Sequence, residues 1–289
     1  MKNFNEFKFT RLGGSALLIT IMLSYDCAAQ EPAHPAFSQK VFTSLPVNLP
    51  QPASPQRYHI TTDYFNHTLQ GVFIDKIRVS GDFTTNLPDR QEKWNHVSVA
   101  KSQQPDGIYG EGEPQLFMEN FTYFPSEKIL QPEFFKTFPL EAVHVKNLVW
   151  DMAGIEAFAW DHLDSLKLNK LYEARQMNGA ANLAGLGTFN NKNIQLIWKG
   201  ISMVNSRLCA LIDFRAMDNP LEIKMKMGKK DFSMKGRSHY WGTVYISLTE
   251  KSIEYTELLE DVTMQIIMSD QPAPQYVYTT RFMKVEKNN

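Results

Sequence analysis

Residue types that commonly do chemistry are present in this chain, but few of them are grouped. Ser238 and His239 are adjacent, which places a hydroxyl next to a base. Neighbours on a strand point to opposite faces of a sheet, so adjacency alone does not let His239 activate Ser238. The spacings between the seven histidines are not those of a metal site, so neither a catalytic residue nor a metal ligand is predicted. These histidines are His34, His59, His67, His96, His144, His162 and His239.

The densest polar group lies on a predicted helix, at Trp160-Asp161-His162-Leu163-Asp164. Adjacent helical residues point about 100° apart, so Asp161 and His162 do not share a face. We interpret His162 as a hydrogen-bonded histidine at the edge of the core. Cys209 falls within a predicted strand. Free cysteine is usually buried and the sequence indicates no base beside this one, so a buried thiol is predicted rather than a nucleophile.

The best candidate for a binding site combines polar and aromatic side chains. His239, Tyr240 and Trp241 are consecutive, and Trp198 lies on an earlier predicted strand. We predict these four residues as ligand-binding residues, with the restriction that Tyr240 and Trp241 point to opposite faces of their strand. Ordinary packing within the sheet is the alternative interpretation of the cluster.

Motifs for cofactors are incomplete, and no cofactor is predicted. Gly185-Leu186-Gly187 lacks the third glycine and the following helix of a dinucleotide fingerprint, and Gly228-Lys229 lacks the frame of a phosphate loop. A long loop predicted at 101–114 is acidic but lacks the regular spacing of a calcium loop. The net charge of -1 gives no overall positive field, which excludes nucleic acid as a predicted partner.

Residues 1–29 have the pattern of a secretory signal peptide. A basic start is followed by a short apolar run, and Cys27-Ala28-Ala29 supplies small residues before a cut at Gln30. The run is shorter than the roughly 20 residues that span a bilayer, so no transmembrane segment is predicted in the mature chain. We expect an exported protein, periplasmic or extracellular. A lipid anchor on Cys27 is the alternative, although Tyr25 and Asp26 replace the small residues usual before such a cysteine.

Alternating apolar and polar residues predict a mainly β fold. The predicted strands are 58–65, a run from 72 to 79 that ends near Gly81, 94–100, 183–189, 194–198, 208–214, 240–248, 258–268 and 276–285. Turn chemistry at 190–193, at Asp218-Asn219-Pro220 and at 227–230 separates the central strands. Because these connections are short, neighbouring strands are expected to pair antiparallel.

One substantial helix is predicted from about 148 to 166. An apolar stripe at helical spacing runs along it and should pack on the sheet, because an isolated helix of this length is marginal in water. The stripe consists of Leu148, Met152, Ile155, Ala159, Leu163 and Leu166. Residues 30–57 are rich in proline, which predicts an irregular, extended segment. Residues 58–289 are then predicted to form a single β-rich globular domain.

Several predicted strands carry apolar or aromatic residues on both faces. This pattern is typical of an α+β protein with a curved antiparallel sheet, or incomplete barrel, and a helix packed on it. From about Tyr172 onward the chain resembles the half-barrel of bacterial lipoprotein-carrier and related lipid-handling proteins. It also resembles exported bacterial proteins of unassigned function, with segments such as Lys235-Gly236-Arg237-Ser238-His239-Tyr240-Trp241-Gly242. The resemblance implies a periplasmic location and an apolar ligand, and it assigns no functional residue.

These observations favour a non-enzymatic function, either binding or carrying an apolar small molecule or packing on an envelope protein. The alternative is a hydrolase-like exported enzyme whose site residues converge only in three dimensions. An apolar cavity without a convergent acid, base and nucleophile would favour the first function. Carboxylates or histidines that converge in a cleft would favour the second.

Overall fold

A computed structural model describes residues 44–227, 230–271 and 273–288. The predicted signal peptide, the candidate anchor Cys27, and Gly228 and Lys229 of a predicted turn lie outside these residues. Of the predicted proline-rich segment, residues 44–55 are described, and they have no regular secondary structure. The first strand begins directly after them, at Gln56.

The described residues form an antiparallel sheet of 13 strands and one α-helix, which confirms the predicted mainly β class. The strands are β1 Gln56–Thr68, β2 Phe73–Thr85, β3 Glu92–Ser102, β4 Glu113–Pro114, β5 Phe121–Tyr123, β6 Leu171–Glu173, β7 Gly179–Asn182, β8 Gly187–Asn191, β9 Gln195–Val204, β10 Arg207–Met227, β11 Lys230–Ser247, β12 Ile253–Met268 and β13 Gln275–Asn288. Their order is β4-β3-β2-β1-β13-β12-β11-β10-β8-β7, with β5 beside β3, β9 beside β10 and β6 beside β9. The end strands β4 and β7 do not pair with each other, so the sheet is not closed.

The helix, α1 Val143–Trp160, is enclosed on all sides. Each of its residues is at least partly buried, and Leu148, Val149, Ile155 and Ala159 have no exposed surface. A helix without an exposed face is a core helix rather than a surface helix. The predicted stripe is therefore confirmed as buried, although the helix ends earlier than predicted, at Trp160. Within the described residues, α1 and the shorter helical turns lack the combination of length and apolar character that a bilayer span requires.

The sheet curves around α1. Glu156 hydrogen-bonds Glu92 of β3, and Phe158 stacks on Phe214 of β10 with ring centroids 4.7 Å apart. Six strand-to-strand steps separate β3 from β10, which on a flat sheet would place them roughly 29 Å apart. Glu156 and Phe158 are only two positions apart on the helix, so they can contact β3 and β10 respectively only if the sheet wraps around the helix. We call the face turned to α1 the inner face.

Short 3-10 helical turns cover the side of α1 that the sheet leaves open. Two of these turns are Glu127–Leu130 and Pro132–Phe135. The indole of Trp150 donates a hydrogen bond to the carbonyl of Ile129, at 3.0 Å, and packs edge-on against Phe135, with centroids 5.5 Å apart. The helix is thereby held between the sheet and an aromatic cap.

Asp218-Asn219-Pro220, predicted as a chain-reversing turn, is a bulge inside the 21-residue strand β10. Asp218 has a positive φ of 64°. The buried amide of Asn219 donates to the carbonyls of Ala216 and Ser238, each at 3.1 Å, and its oxygen accepts the N–H of Lys192 at 2.8 Å. The prediction was wrong because a bulge uses the same turn-forming residues without reversing the chain.

The prediction of one strand at 183–189 was also wrong. Two short strands, β7 and β8, flank a turn in which Ala184 and Gly185 have positive φ angles of 52° and 79°. The predicted reversing turn at 190–193 was wrong as well, because β8 and β9 both run antiparallel to β10 and therefore follow each other in the same direction without pairing. β8 pairs with the later part of β10 and β9 with its earlier part. The great length of β10 therefore lets two successive strands share one partner.

Candidate functional site

The four predicted ligand-binding residues lie on two different faces of the sheet. Trp198 and Tyr240 point to the inner face, because Trp198 pairs with buried Ile212 and Tyr240 pairs with Glu260 in the helix-facing row. His239 and Trp241 flank Tyr240 on its strand and therefore point outward. The structure thus separates the predicted cluster into two pairs.

Trp198 is fully buried, and Tyr240 is half-buried against the helix. Trp198 has no exposed surface, and its indole donates to the carbonyl of Gly200 at 2.9 Å. The Tyr240 hydroxyl donates to the side-chain oxygen of Asn191 at 2.9 Å, and its ring lies 6.2 Å from that of Phe158. Burial raises the pKa of Tyr240. Both polar groups are satisfied by the protein itself, and both rings contribute to the core.

Two of the three remaining residues, His239 and His162, have local hydrogen-bond partners. His239 Nδ1 accepts the backbone N–H of Asp218 at 3.1 Å and so supports the bulge in β10. His162 is 7% exposed and accepts a hydrogen bond at Nδ1 from Gln176, at 3.0 Å. Its position at the edge of the core is as predicted. Trp241 is 36% exposed on the outer face, and of these residues it offers the most surface to solvent.

An apolar patch lies on the inner face, beyond the part of the sheet that α1 covers. The row Tyr64–Arg281–Glu260–Tyr240 runs across the sheet where the helix contacts it. Further along the same strands, nine apolar side chains are in register across β10 to β13. We call them the inner-face patch: Leu221, Ile223, Met225, Phe232, Met234, Met264, Ile266, Met268 and Val277.

The inner-face patch is partly open to solvent. Ile223 is buried, at 6% exposure, and the other eight side chains are half-buried. Four of the nine are methionines, whose unbranched thioether chains adapt to irregular apolar surfaces. Sequence reasoning missed this patch. The sequence does contain a signal for it, because Leu221, Ile223 and Met225 alternate strictly with charged residues. These residues directly follow the wrongly predicted turn at 218–220.

A buried charged triad borders the patch on the helix side. Arg281 makes two hydrogen bonds to the carboxylate of Asp151 on α1, at 2.6 and 3.1 Å, and its Nε lies 2.7 Å from Glu260 of β12. Ser238 donates to the other oxygen of Glu260. Burial acts to lower the pKa of Arg281, but the two carboxylates outweigh it and raise that pKa. The triad therefore holds α1 to the sheet through ionised groups.

A second acidic group, Glu92 of β3 and Glu156 of α1, lies at the opposite side of the helix. Burial is the largest cause that raises the pKa of each carboxyl, and for Glu156 the charge of Glu92 adds to it. Two carboxyls that share a site resist ionising together, so the pair retains a proton above the usual pH. Tyr123, whose hydroxyl accepts from the Trp94 indole at 3.3 Å, lies beside Glu92.

We expect Glu156→Gln to stabilise the protein at pH 8 and to reduce its pH dependence. Above pH 4.5, the ordinary pKa of a glutamate, the folded state binds more protons than the unfolded state because the pKa of Glu156 is raised on folding. The free energy of unfolding therefore falls as the pH rises above 4.5. One pKa unit corresponds to about 1.36 kcal/mol, and we expect a gain on the order of 1 kcal/mol or more. Urea melts at pH 5 and pH 8 measure it. The exposed Glu133→Gln is the control, and equal pH slopes in the two variants would contradict the assignment.

The outer face carries two histidines that share one carboxylate. Asp82 accepts hydrogen bonds from Nδ1 of His59 at 2.9 Å and of His96 at 2.8 Å. Burial acts to raise the pKa of Asp82, but these hydrogen bonds lower it, and Asp82 in turn raises the pKa of His96. Their side chains are 38 to 74% exposed. The group therefore lies on an open surface rather than in a cleft.

Comparisons with known proteins leave the site to be interpreted from its own chemistry. No family profile matches the chain, and no curated protein is significantly similar to it. Across the described ranges, no group of three histidine, cysteine, aspartate or glutamate residues is arranged to hold a metal ion. Cys209 is buried and unpaired, as predicted, and burial raises the pKa of its thiol to about 11.

Proposed function

We propose that the protein is exported and that its inner-face patch binds an apolar molecule, without catalysing a reaction. The observation that carries this proposal is the patch itself, nine apolar side chains in register on a curved face that the helix leaves uncovered. Contiguous exposed apolar surface of this kind usually marks a binding site. The secretory pattern of residues 1–29 supports the export part of the proposal.

The polar surroundings fit binding better than catalysis. The inner-face carboxylates that border the patch, Asp151 and Glu260, are neutralised by Arg281 and hold the helix in place. Glu92 and Glu156 lie beneath the helix, on the side of the sheet away from the patch. A general acid or base must come within hydrogen-bond reach of its substrate. A ligand seated on the patch would meet methyl groups, thioethers and one phenyl ring.

A matched pair of substitutions tests the site. Ile266 belongs to the patch, and the adjacent Ile267 is 44% exposed on the outer face. We expect Ile266→Asp to weaken binding of an uncharged apolar fluorophore, N-phenyl-1-naphthylamine, by about tenfold or more, because a carboxylate would have to be desolvated at the contact. Ile267→Asp should leave binding within about twofold. Fluorescence titration gives the affinity, and native mass spectrometry with a long-chain alcohol gives the stoichiometry.

Circular dichroism melts must show that both variants fold. If the folded wild-type protein binds neither probe, or if the two substitutions weaken binding equally, the ligand proposal fails. The patch would then be assigned to the other predicted kind of partner, an envelope protein.

A further inference from the structure

Three strands project beyond their neighbours at one end of the sheet. β8 pairs with β10 only as far as Ile223, and β13 pairs with β12 only as far as Ile266. The central strands β10, β11 and β12 continue past these positions and remain in register. We call their projecting ends the tip, comprising residues 224–226, 231–233 and 267–269.

The two faces of the tip differ in character. Met225, Phe232 and Met268 are in register on the inner face and continue the inner-face patch. Lysines, serines, one aspartate and one isoleucine occupy the outer face. A shallow pocket of about 550 Å³ at the tip is lined by Lys224, Met225, Lys226, Asp231, Phe232, Ser233, Ile267 and Ser269. The tip therefore offers apolar surface and positive charge within a few residues of each other.

The segment that contains the β10 and β11 ends of the tip has a net charge opposite in sign to that of the full chain. Residues 218–237 carry six basic and three acidic side chains, a net charge of +3, in a chain whose net charge is -1. The side chains of Lys224 and Lys226 are 71% and 81% exposed. Lys224 lies 3.0 Å from Glu222, and Lys226 lies 3.9 Å from Asp231. Such exposed ion pairs are weak, so both ammonium groups are available to another anion.

We propose that the tip docks on the surface of an anionic lipid bilayer. Exposed lysines are attracted to anionic headgroups, and apolar side chains beside them enter the boundary between headgroups and acyl chains. Lys224 and Lys226 provide the first interaction, and Ile267 and Phe232 provide the second. Both kinds of contact come from the projecting ends of three paired strands, which present them together.

Docking of the tip goes beyond the proposed ligand function and does not depend on it. The two proposals share Phe232, but the lysines that docking requires are on the outer face, whereas the ligand patch is on the inner face. Ile266→Asp alters the patch and leaves both lysines in place. Failure of one proposal can therefore be told apart from failure of the other by assaying each variant for fluorophore binding and for vesicle binding.

The test is sedimentation with large unilamellar vesicles. One set contains about 30% phosphatidylglycerol in phosphatidylcholine, and the other contains phosphatidylcholine alone. We expect the wild-type protein to bind the anionic vesicles, and Lys224→Glu with Lys226→Glu to weaken that binding by more than about tenfold. The control is Lys136→Glu with Lys170→Glu, which makes the same charge change at exposed positions elsewhere in the structure. This control should bind within about twofold of the wild type.

All of these proteins share one N-terminal segment, so its basic residues cannot produce a difference between variants. Raising the salt concentration from about 0.1 to 0.5 M should weaken wild-type binding, because charge attraction at an exposed surface is screened. Three results would each overturn the proposal: no binding to anionic vesicles, equal binding to neutral vesicles, or equal weakening by the tip and control substitutions.

Discussion

Arg281→Met is expected to destabilise the fold by about 3–5 kcal/mol, because it leaves two buried carboxylates without their partner. The Arg281 side chain is 7% exposed and lies between Asp151 at 13% and Glu260 at 12%. Burial already raises the pKa of Asp151, and Arg281 opposes that effect. Without the guanidinium the carboxylates should take up protons, so the loss should be larger at pH 8 than at pH 5. Urea melts followed by circular dichroism at the two pH values measure it.

A surface pair provides the matched control. Arg78 also makes two hydrogen bonds to an aspartate, Asp63, at 2.7 and 2.8 Å, but its side chain is 42% exposed. Arg78→Met should cost less than about 1 kcal/mol, as exposed ion pairs do. Replacing the entire triad, with Arg281→Met, Asp151→Leu and Glu260→Met, should recover most of the stability lost. Equal losses for Arg281→Met and Arg78→Met would refute a structural role for the buried triad.

The triad also shows why the polar interior was beyond sequence reasoning. Asp151, Glu260 and Arg281 come from α1, β12 and β13, and 130 positions separate Asp151 from Arg281. Each residue alone looks like an ordinary solvated charge. Their meeting depends on the register of β12 against β13 and on where the helix crosses the sheet, and neither can be read from local spacing. The same holds for Glu92 and Glu156.

Local patterns did predict the main elements. Alternation places Tyr58, Ile60 and Tyr64 on one face of β1, and all three are buried. The stripe on α1 is buried along its length, and Leu163 and Leu166 remain buried after the helix has ended. These predictions succeed because burial of one face is a local property of a strand or helix. Strand pairing is not local, and β8 and β9 were therefore wrongly expected to pair with each other.

The candidate site was the least predictable part of the chain. Aromatic residues attracted the prediction of a binding role, but Trp198 has no exposed surface and is core, on the inner face beside buried Ile212 of β10. The inner-face patch instead consists of aliphatic side chains and methionines, which look like core residues in the sequence. They are open only because β10, β11 and β12 extend past the helix. That excess length is a property of the assembled fold rather than of any segment.

Met152→Ala is expected to cost roughly 2 to 5 kcal/mol, and Ile155→Ala a similar amount. Met152 is 1% exposed and Ile155 has no exposed surface, in the middle of a helix enclosed by the sheet on one side and the aromatic cap on the other. The cavity left by either substitution is hard to close, because moving the helix toward one wall opens a gap at the other. Each Å³ of remaining cavity adds about 24 cal/mol, so these losses should lie toward the upper end of the range.

Urea melts would give the values, with Val143→Ala as the control, since Val143 is only half-buried in the first turn of the same helix. That control should lose less than about 1.5 kcal/mol, and near-zero losses at Met152 and Ile155 would mean that the curved sheet does not enclose the helix.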